Sequence, residues 1–180
     1  MSSRFRCRPT VKARLTEAAA GIGPRPKIEE TAMFKHILLP TDGSKLSNRA
    51  VERGIALAKD LGARITAMHV VPELRMITDE SFVMPMGVEL QRRYDKEAKA
   101  RAQKMLEAVG KKAQAEGVAH DELVVTGELP YEAIIAAAKK CKCDLIMMAS
   151  HGRRGISGLL LGSETAKVLT HSKIPVLVVR

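Results

Sequence analysis

The 180-residue chain has no tryptophan, three phenylalanines and two tyrosines. Its interior must therefore be filled by Ala, Leu, Ile, Val and nine methionines, and no aromatic RNA-binding motif is present. Three cysteines form no disulfide framework, which points to a reducing compartment, the cytoplasm. Cys141 and Cys143 have no histidine or second pair at zinc-like spacing, so they read as packed thiols near a helix–strand junction. No apolar run approaches the roughly 18 residues of a membrane span. Neither Gly-x-x-x-x-Gly-Lys-[Ser/Thr] nor Gly-x-Gly-x-x-Gly occurs, which excludes the standard P-loop and dinucleotide fingerprints.

What the chain has in excess is positive charge, a formal net of +10. Part of it is local. Residues 1–32 carry seven Lys/Arg against three Glu, a net of +4, which leaves +6 on the remaining 148 residues, spread over mixed-sign helical faces. Without an aromatic motif or zinc-finger spacing, a nucleic-acid partner is not expected. Residues 1–32 also lack sustained periodicity and contain "GIGPRP", a loop signature in which Gly21 and Gly23 precede Pro24. This basic extension reads as a disordered tail, a targeting peptide, or sequence upstream of a true start at Met33.

From Met33 the chain alternates strand-like and helix-like segments. "HILLP" (36–40), "RITAMHVV" (64–71), "ELVVTG" (122–127), "DLIMMAS" (144–150) and "IPVLVVR" (174–180) are short apolar runs. Several are apolar on both faces, as strands of a doubly covered parallel sheet should be. Between them, helical spacing predicts helices over 45–61, 88–116, 130–141 and 163–172. In the second of these, Leu90, Tyr94, Ala98, Ala102, Leu106, Val109 and Ala113 form one stripe, expected to face the core. Segment 72–87 has no clean period and reads as an insertion. The strict alternation predicts a single α/β domain over 33–180, an open parallel sheet with helices on both faces.

In such sheets ligands bind beyond the carboxyl ends of strands, where the strand order reverses. "PTDGS" follows the first strand and "ASHGRRGISGLLLGSET" the fourth. Gly152 and Gly162 would let backbone N–H groups approach an anion without a Cβ in the way. Ser163 stands at the start of the last helix, where unpaired N–H groups favour phosphate, and Arg153 and Arg154 can add charge. Asp42 can accept from a ribose hydroxyl or help hold a hydrated divalent cation. Each feature also has a plain reading, Ser163 as a helix cap and Asp42-Gly43 as a turn. Taken together, the two loops follow different strands and would have to share one crevice, and that combination points to a phosphate ligand.

Across 33–180 these residues resemble the universal stress protein family, above all in "HILLPTDGS", "AMHVV" and "ASHGRRGISGLLLGSETAKVLTHSKIPVLVV". Nucleotide-binding members have Gly-x-x-Gly, nine residues, then Gly-[Ser/Thr]. Here Gly152 is followed by nine residues and Gly162-Ser163, while Ala149 replaces the first glycine. The resemblance implies a five-stranded sheet ordered 3-2-1-4-5, with ATP and Mg²⁺ between strands one and four. It places Pro40, Thr41 and Asp42 at the ribose and the backbone of Val70 at adenine. Met148, Ala149, His151 and Gly152 border the sugar and phosphates, and Gly162, Ser163, Glu164 and Thr165 hold the phosphate end. It also implies a homodimer through the C-terminal strand and a role as a nucleotide-dependent sensor or switch in stress response. Its alternatives are an interaction module that holds no nucleotide, and a slow ATP hydrolase or self-phosphorylating protein. The downstream partner is not readable from the chain.

Overall fold

The computed structural model describes residues 33–73, 85–152 and 161–180, with 85–88 as backbone alone. The extension 1–32, residues 74–84 and the loop residues Arg153, Arg154, Gly155 and Gly158 lie outside the described residues. In chain order the elements are β1 (His36–Pro40), α1 (Lys45–Leu61), β2 (Arg64–Pro72), α2 (Pro85–Ala115), β3 (His120–Gly127), α3 (Pro130–Lys140), β4 (Leu145–Ala149), α4 (Ser163–His171) and β5 (Val176–Val179). The five strands pair in parallel, in the order β3-β2-β1-β4-β5, as the resemblance implied.

Alternation along each strand divides the core in two. Ile37, Leu39, Ile65, Ala67, Leu145, Met147, Ala149 and Val179 pack with Ala50, Val51, Ile55 and Ala58 of α1 and Leu106, Val109 and Ala113 of α2. Leu38, Met68, Ile146 and Met148 point the other way, onto Ile134, Ile135, Ala137 and Ala138 of α3 and Val168 of α4. Ile37, Leu38, Leu39, Ile65 and Ile146 are wholly buried, each contributing about 1.5–3 kcal/mol of transfer free energy. That double coverage is why these strands read as unbroken apolar runs.

α1 is bounded by local chemistry. The Ser44 hydroxyl accepts from Ser47 N at its start, and Gly62 ends it in the left-handed region at φ 63°. Its middle lies so close to β1 that a Cβ at Gly54 would stand 2.5 Å from Leu39 Cδ2. This contact sets the height of α1 over the sheet and hence the position of the loop between them.

Boundaries depart from the sequence reading by a few residues. β2 runs on to Pro72, β3 starts at His120, and β4 and β5 are shorter than expected. α2 begins at Pro85 rather than at 88, with a proline at its first position, where the missing N–H costs nothing. Its predicted stripe is only half buried. Ala102, Leu106, Val109 and Ala113 are covered, but Leu90 is 63% exposed and Tyr94 40%. The cause is length: 31 residues of helix span about 46 Å, whereas a strand of eight or nine residues spans about 28 Å. The amino-terminal half of α2 therefore overhangs the sheet. Cys141 caps the end of α3 and Cys143 is buried at the start of β4, the junction expected for them.

At the amino end of the sheet the Asp144 carboxylate accepts from Lys35 N (2.8 Å) and His36 N (3.0 Å), tying β4 to β1. The His36 ring is buried, with Nε2 2.8 Å from Thr66 Oγ1. Burial, and then the Arg64 guanidinium, hold its pKa below the ordinary value of 6.5. Below that value the unfolded chain takes up a proton that folded His36 resists, so stability falls on acidification and levels off above it. Glu122, pushed upward chiefly by burial, acts with the opposite sign above 4.5. Comparison with a His36→Gln variant isolates the histidine. Denaturant unfolding at pH 8 and pH 5 should show a smaller acid loss in the variant than in the parent protein. Equal losses would mean that His36 titrates normally.

Candidate functional site

β1 is flanked by β2 on one side and β4 on the other, so the chain leaves β1 and β4 toward opposite sides of the sheet. The crevice between those two departures lies beyond the carboxyl ends of both strands. On the β1 side, half-buried Pro40 ends the strand and the next residue turns inward. Thr41 is 6% exposed; its N–H donates to Met68 O at 2.8 Å, and its hydroxyl lies 2.5 Å from Ser47 Oγ. His69 Nδ1 donates to Thr41 O at 2.7 Å, which places a ring proton on that nitrogen. Asp42 N donates to Ser47 Oγ, and Asp42 Oδ1 accepts from Ser44 N at 3.0 Å, an Asx turn. Gly43 takes φ 77°, a conformation that a side chain would strain. The Asp-Gly pair is thus a turn, and the turn fixes where the carboxylate points.

On the β4 side, Met148 packs into the α3–α4 half of the core. The Ala149 methyl packs into the other half, beside Met147 and Val179. The alanine that replaces a family glycine therefore puts its extra carbon into the core. Ser150 is 1% exposed, donates its N–H to Val179 O at 2.8 Å and accepts from Gly162 N at 2.8 Å. Its hydroxyl lies 3.1 Å from His151 Nδ1. The Thr165 hydroxyl, buried, donates to Ala149 O at 3.0 Å. Two hydrogen bonds thus fasten the first turn of α4 to the end of β4.

Gly162 is the N-cap of α4, with Ser163 the first helical residue and exposed. Gly162 is extended at φ −72°, so its need is for space and not for a left-handed backbone. A Cβ there would stand 3.0 Å from His151 Cβ and 3.1 Å from His151 Cα. Gly162 has no side chain with which to cap α4, and helix amino ends favour anions. The Glu164 carboxylate points elsewhere: Oε2 accepts from Tyr131 N at 2.9 Å and Oε1 pairs with Lys167 Nζ at 3.1 Å.

The two sides meet at Gly152, where a Cβ would lie 2.5 Å from Asp42 Oδ2 and 3.3 Å from its Cγ. The structure thus brings Thr41, Asp42, His151, Gly152, Gly162 and Ser163 to one end of the sheet. Val70 stands near the end of β2, opposite Val125, with its side chain packed on the α3–α4 half of the core. Arg153 lies outside the described residues. Sequence reasoning missed Ser47, His69 and the Glu164–Tyr131 bond. Ser44-x-x-Ser47 is a cap-like spacing that could have drawn attention to the serine, whereas nothing local marks the other two. Among the described residues no group of three or more His, Cys, Asp or Glu could hold a metal ion by itself, and no helix is long and apolar enough to cross a membrane.

A sequence profile of the universal stress protein family matches residues 33–180. A universal stress protein of Thermus aquaticus is 34% identical over 148 residues, covering 82% of this chain and all of that one. The solved structure of a protein of Methanocaldococcus jannaschii, itself called a universal stress protein, is 28% identical. It superposes with a TM-score of 0.70 over 82% of this chain and 96% of the other. A universal stress protein solved in complex with cAMP is also 28% identical, with a TM-score of 0.59 over 82% of this chain and 98% of its own.

Proposed function

The chain belongs to the universal stress protein family, and on that footing we propose that it binds ATP with Mg²⁺ between β1 and β4 and acts as a nucleotide-dependent switch in stress response. One observation carries the reading: Asp42 and Gly152, 110 residues apart in sequence, stand in side-chain contact distance at the strand ends. A shared crevice with an acidic group on one wall and Cβ-free backbone on the other suits a ribose and a polyphosphate. The relative bound to cAMP supports an adenine nucleotide as the ligand class.

The donor set fits such a ligand. Backbone N–H groups of Ser163, Glu164 and Thr165 begin α4, where the helix dipole favours negative charge. In this reading the Ser163 hydroxyl takes the terminal phosphates, and Gly162, whose N–H is engaged by Ser150 O, gives them room. Met148, Ala149, His151 and Gly152 border the sugar and first phosphates, with Arg153 adding charge. Pro40, Thr41 and Asp42 line the ribose, and the Val70 backbone faces adenine. The Asp42 carboxylate can accept from a ribose hydroxyl or from water on magnesium. When bound, the nucleotide supplies a removable bridge between the β1 and β4 loops, and this chain's residues read its presence.

Assembly follows from the sheet edge. Ser150 N donates to Val179 O and Ile146 N to Pro175 O, so residues 175, 177 and 179 face β4 while Val176 and Val178 turn their N–H and C=O outward. Leu169 and Leu177 are 41% and 42% exposed, and with Arg53, Met147 and Val178 they line a depression of about 560 Å³ along β5. An open edge beside exposed leucines suits a two-fold partner, so the proposed working unit is a homodimer paired through β5, in the cytoplasm.

Two outcomes are expected. In calorimetric titration with Mg-ATP, Ser163→Ala should bind about ten- to a hundredfold more weakly, the loss of a hydrogen bond to a charged group worth about 1.5–3 kcal/mol. Gly162→Val should do more harm, because its branches meet His151 as well as the ligand, and Gly152→Ala must push Asp42 aside. Parent-like affinity in all three, with circular dichroism confirming the fold, would remove the crevice as the site. Val178→Pro deletes an outward N–H without touching the β4–β5 ladder. Sedimentation at micromolar concentration should find the parent dimeric and this variant largely monomeric. A monomeric parent would contradict the assembly.

A further inference from the structure

α3 starts without a cap of its own. Leu129, its N-cap, makes no side-chain hydrogen bond, and Pro130 has no N–H to give. The first N–H of that helix belongs to Tyr131, and its acceptor is Glu164 Oε2, 33 residues later at the second position of α4. The same carboxylate holds Lys167 through Oε1, and Lys167 Nζ lies 5.2 Å over the Tyr131 ring, whose other neighbour is the His171 ring at 5.3 Å. Glu164, Lys167 and Tyr131 therefore close a small circuit between the amino ends of two helices. The circuit uses the helix dipole of α3 as the counter-charge for a carboxylate sitting one residue from Ser163.

From this geometry we infer that Glu164 is a positioning residue: its carboxylate locks the first turn of α4 to α3, so that the N–H groups of that turn stay aimed at the crevice. The inference deepens the proposed nucleotide site and rests on it. Thr165 and Gly162 tie the turn to β4, but both bonds lie at its sheet side. Among the described residues the bond to Tyr131 N is the hydrogen bond that ties the first turn to α3. Without it that turn is left to packing farther along α4, at Lys167, Val168 and His171, and can pivot about the other two bonds. A second consequence concerns charge. A free carboxylate at this position would repel phosphate, whereas one engaged by Tyr131 N and Lys167 repels less.

A pivoting turn harms phosphate binding and leaves the nucleoside alone, which separates positioning from general damage. Mg-ATP and adenosine are titrated into the parent protein, Glu164→Ala and Glu164→Gln, with thermal unfolding of each recorded. Glu164→Ala should lose about tenfold in affinity for Mg-ATP and keep its affinity for adenosine. Glu164→Gln retains a neutral acceptor for Tyr131 N and should stay within about threefold of the parent. It also carries the test should the alanine variant fail to fold, because a glutamine variant as weak as tenfold would then contradict rescue by an acceptor. Equal losses for both ligands would reduce Glu164 to a stabilising contact. Unchanged or tighter Mg-ATP binding in Glu164→Ala would overturn the inference outright, since the carboxylate would then act only by repulsion. If the parent bound neither ligand, the nucleotide reading itself would fall, an outcome distinct from any change between variants.

Discussion

The close approach of two loops at the carboxyl end of the sheet, Gly152 against the Asp42 carboxylate, is the constraint on which the site depends. β1 and β4 are neighbours, and the connections that follow them turn to opposite faces, so their loops must pass within contact distance before they part. Gly152 meets the Asp42 carboxylate there, and Gly162 meets the backbone of His151. A Cβ at Gly152 would have to displace the end of the Asp42 side chain, and one at Gly162 would crowd His151 by a few tenths of an ångström. Packing thus favours glycine at both positions. The Gly162 N–H is taken by Ser150 O, so what Gly162 offers a ligand in the proposed reading is room rather than a donor of its own.

Around that approach the structure is over-determined. Thr41 is held through its N–H, its carbonyl and its hydroxyl, by Met68, His69 and Ser47 respectively. The start of α4 is held by Ser150, Ala149 and Tyr131. Such anchoring preorganises donors so that little ordering remains to be done when a ligand arrives. It also makes each wall of the crevice report on a different element: the β1 loop on α1, the start of α4 on α3 and on β5. In the proposed reading, a ligand that joins the walls would couple the sheet centre to the edge strand.

Much of this was legible in the sequence, for physical reasons that can be named. Apolar runs such as "LIMM" and "VLVV" announce strands covered on both faces, and strands alternating with helical stripes leave few arrangements besides an open parallel sheet. Asp42, Gly152 and Gly162 stood out because turn and glycine chemistry is local. What was not legible depends on distance in the chain. The stripe of α2 shows which residues share a face, yet only the sheet's depth decides that Leu90 and Tyr94 are uncovered. Ser163 has the chemistry of a cap, but the structure puts Gly162, extended at φ −72°, at that position and Ser163 one residue into the helix. The Glu164 carboxylate in the first turn of α4 read as part of the proposed phosphate end, and its partner Tyr131 is visible only once α3 and α4 lie side by side.

The central claim is that these two loops and the start of α4 together retain an adenine nucleotide. It is tested most directly by incubating the purified protein with Mg-ATP, removing free ligand by gel filtration, denaturing the protein, and quantifying released small molecules by mass spectrometry. The account predicts an adenine nucleotide at close to one per chain, displaced by excess unlabelled ATP when the incubation uses an isotope-labelled form. A protein that carries none as purified and retains none after loading would contradict it.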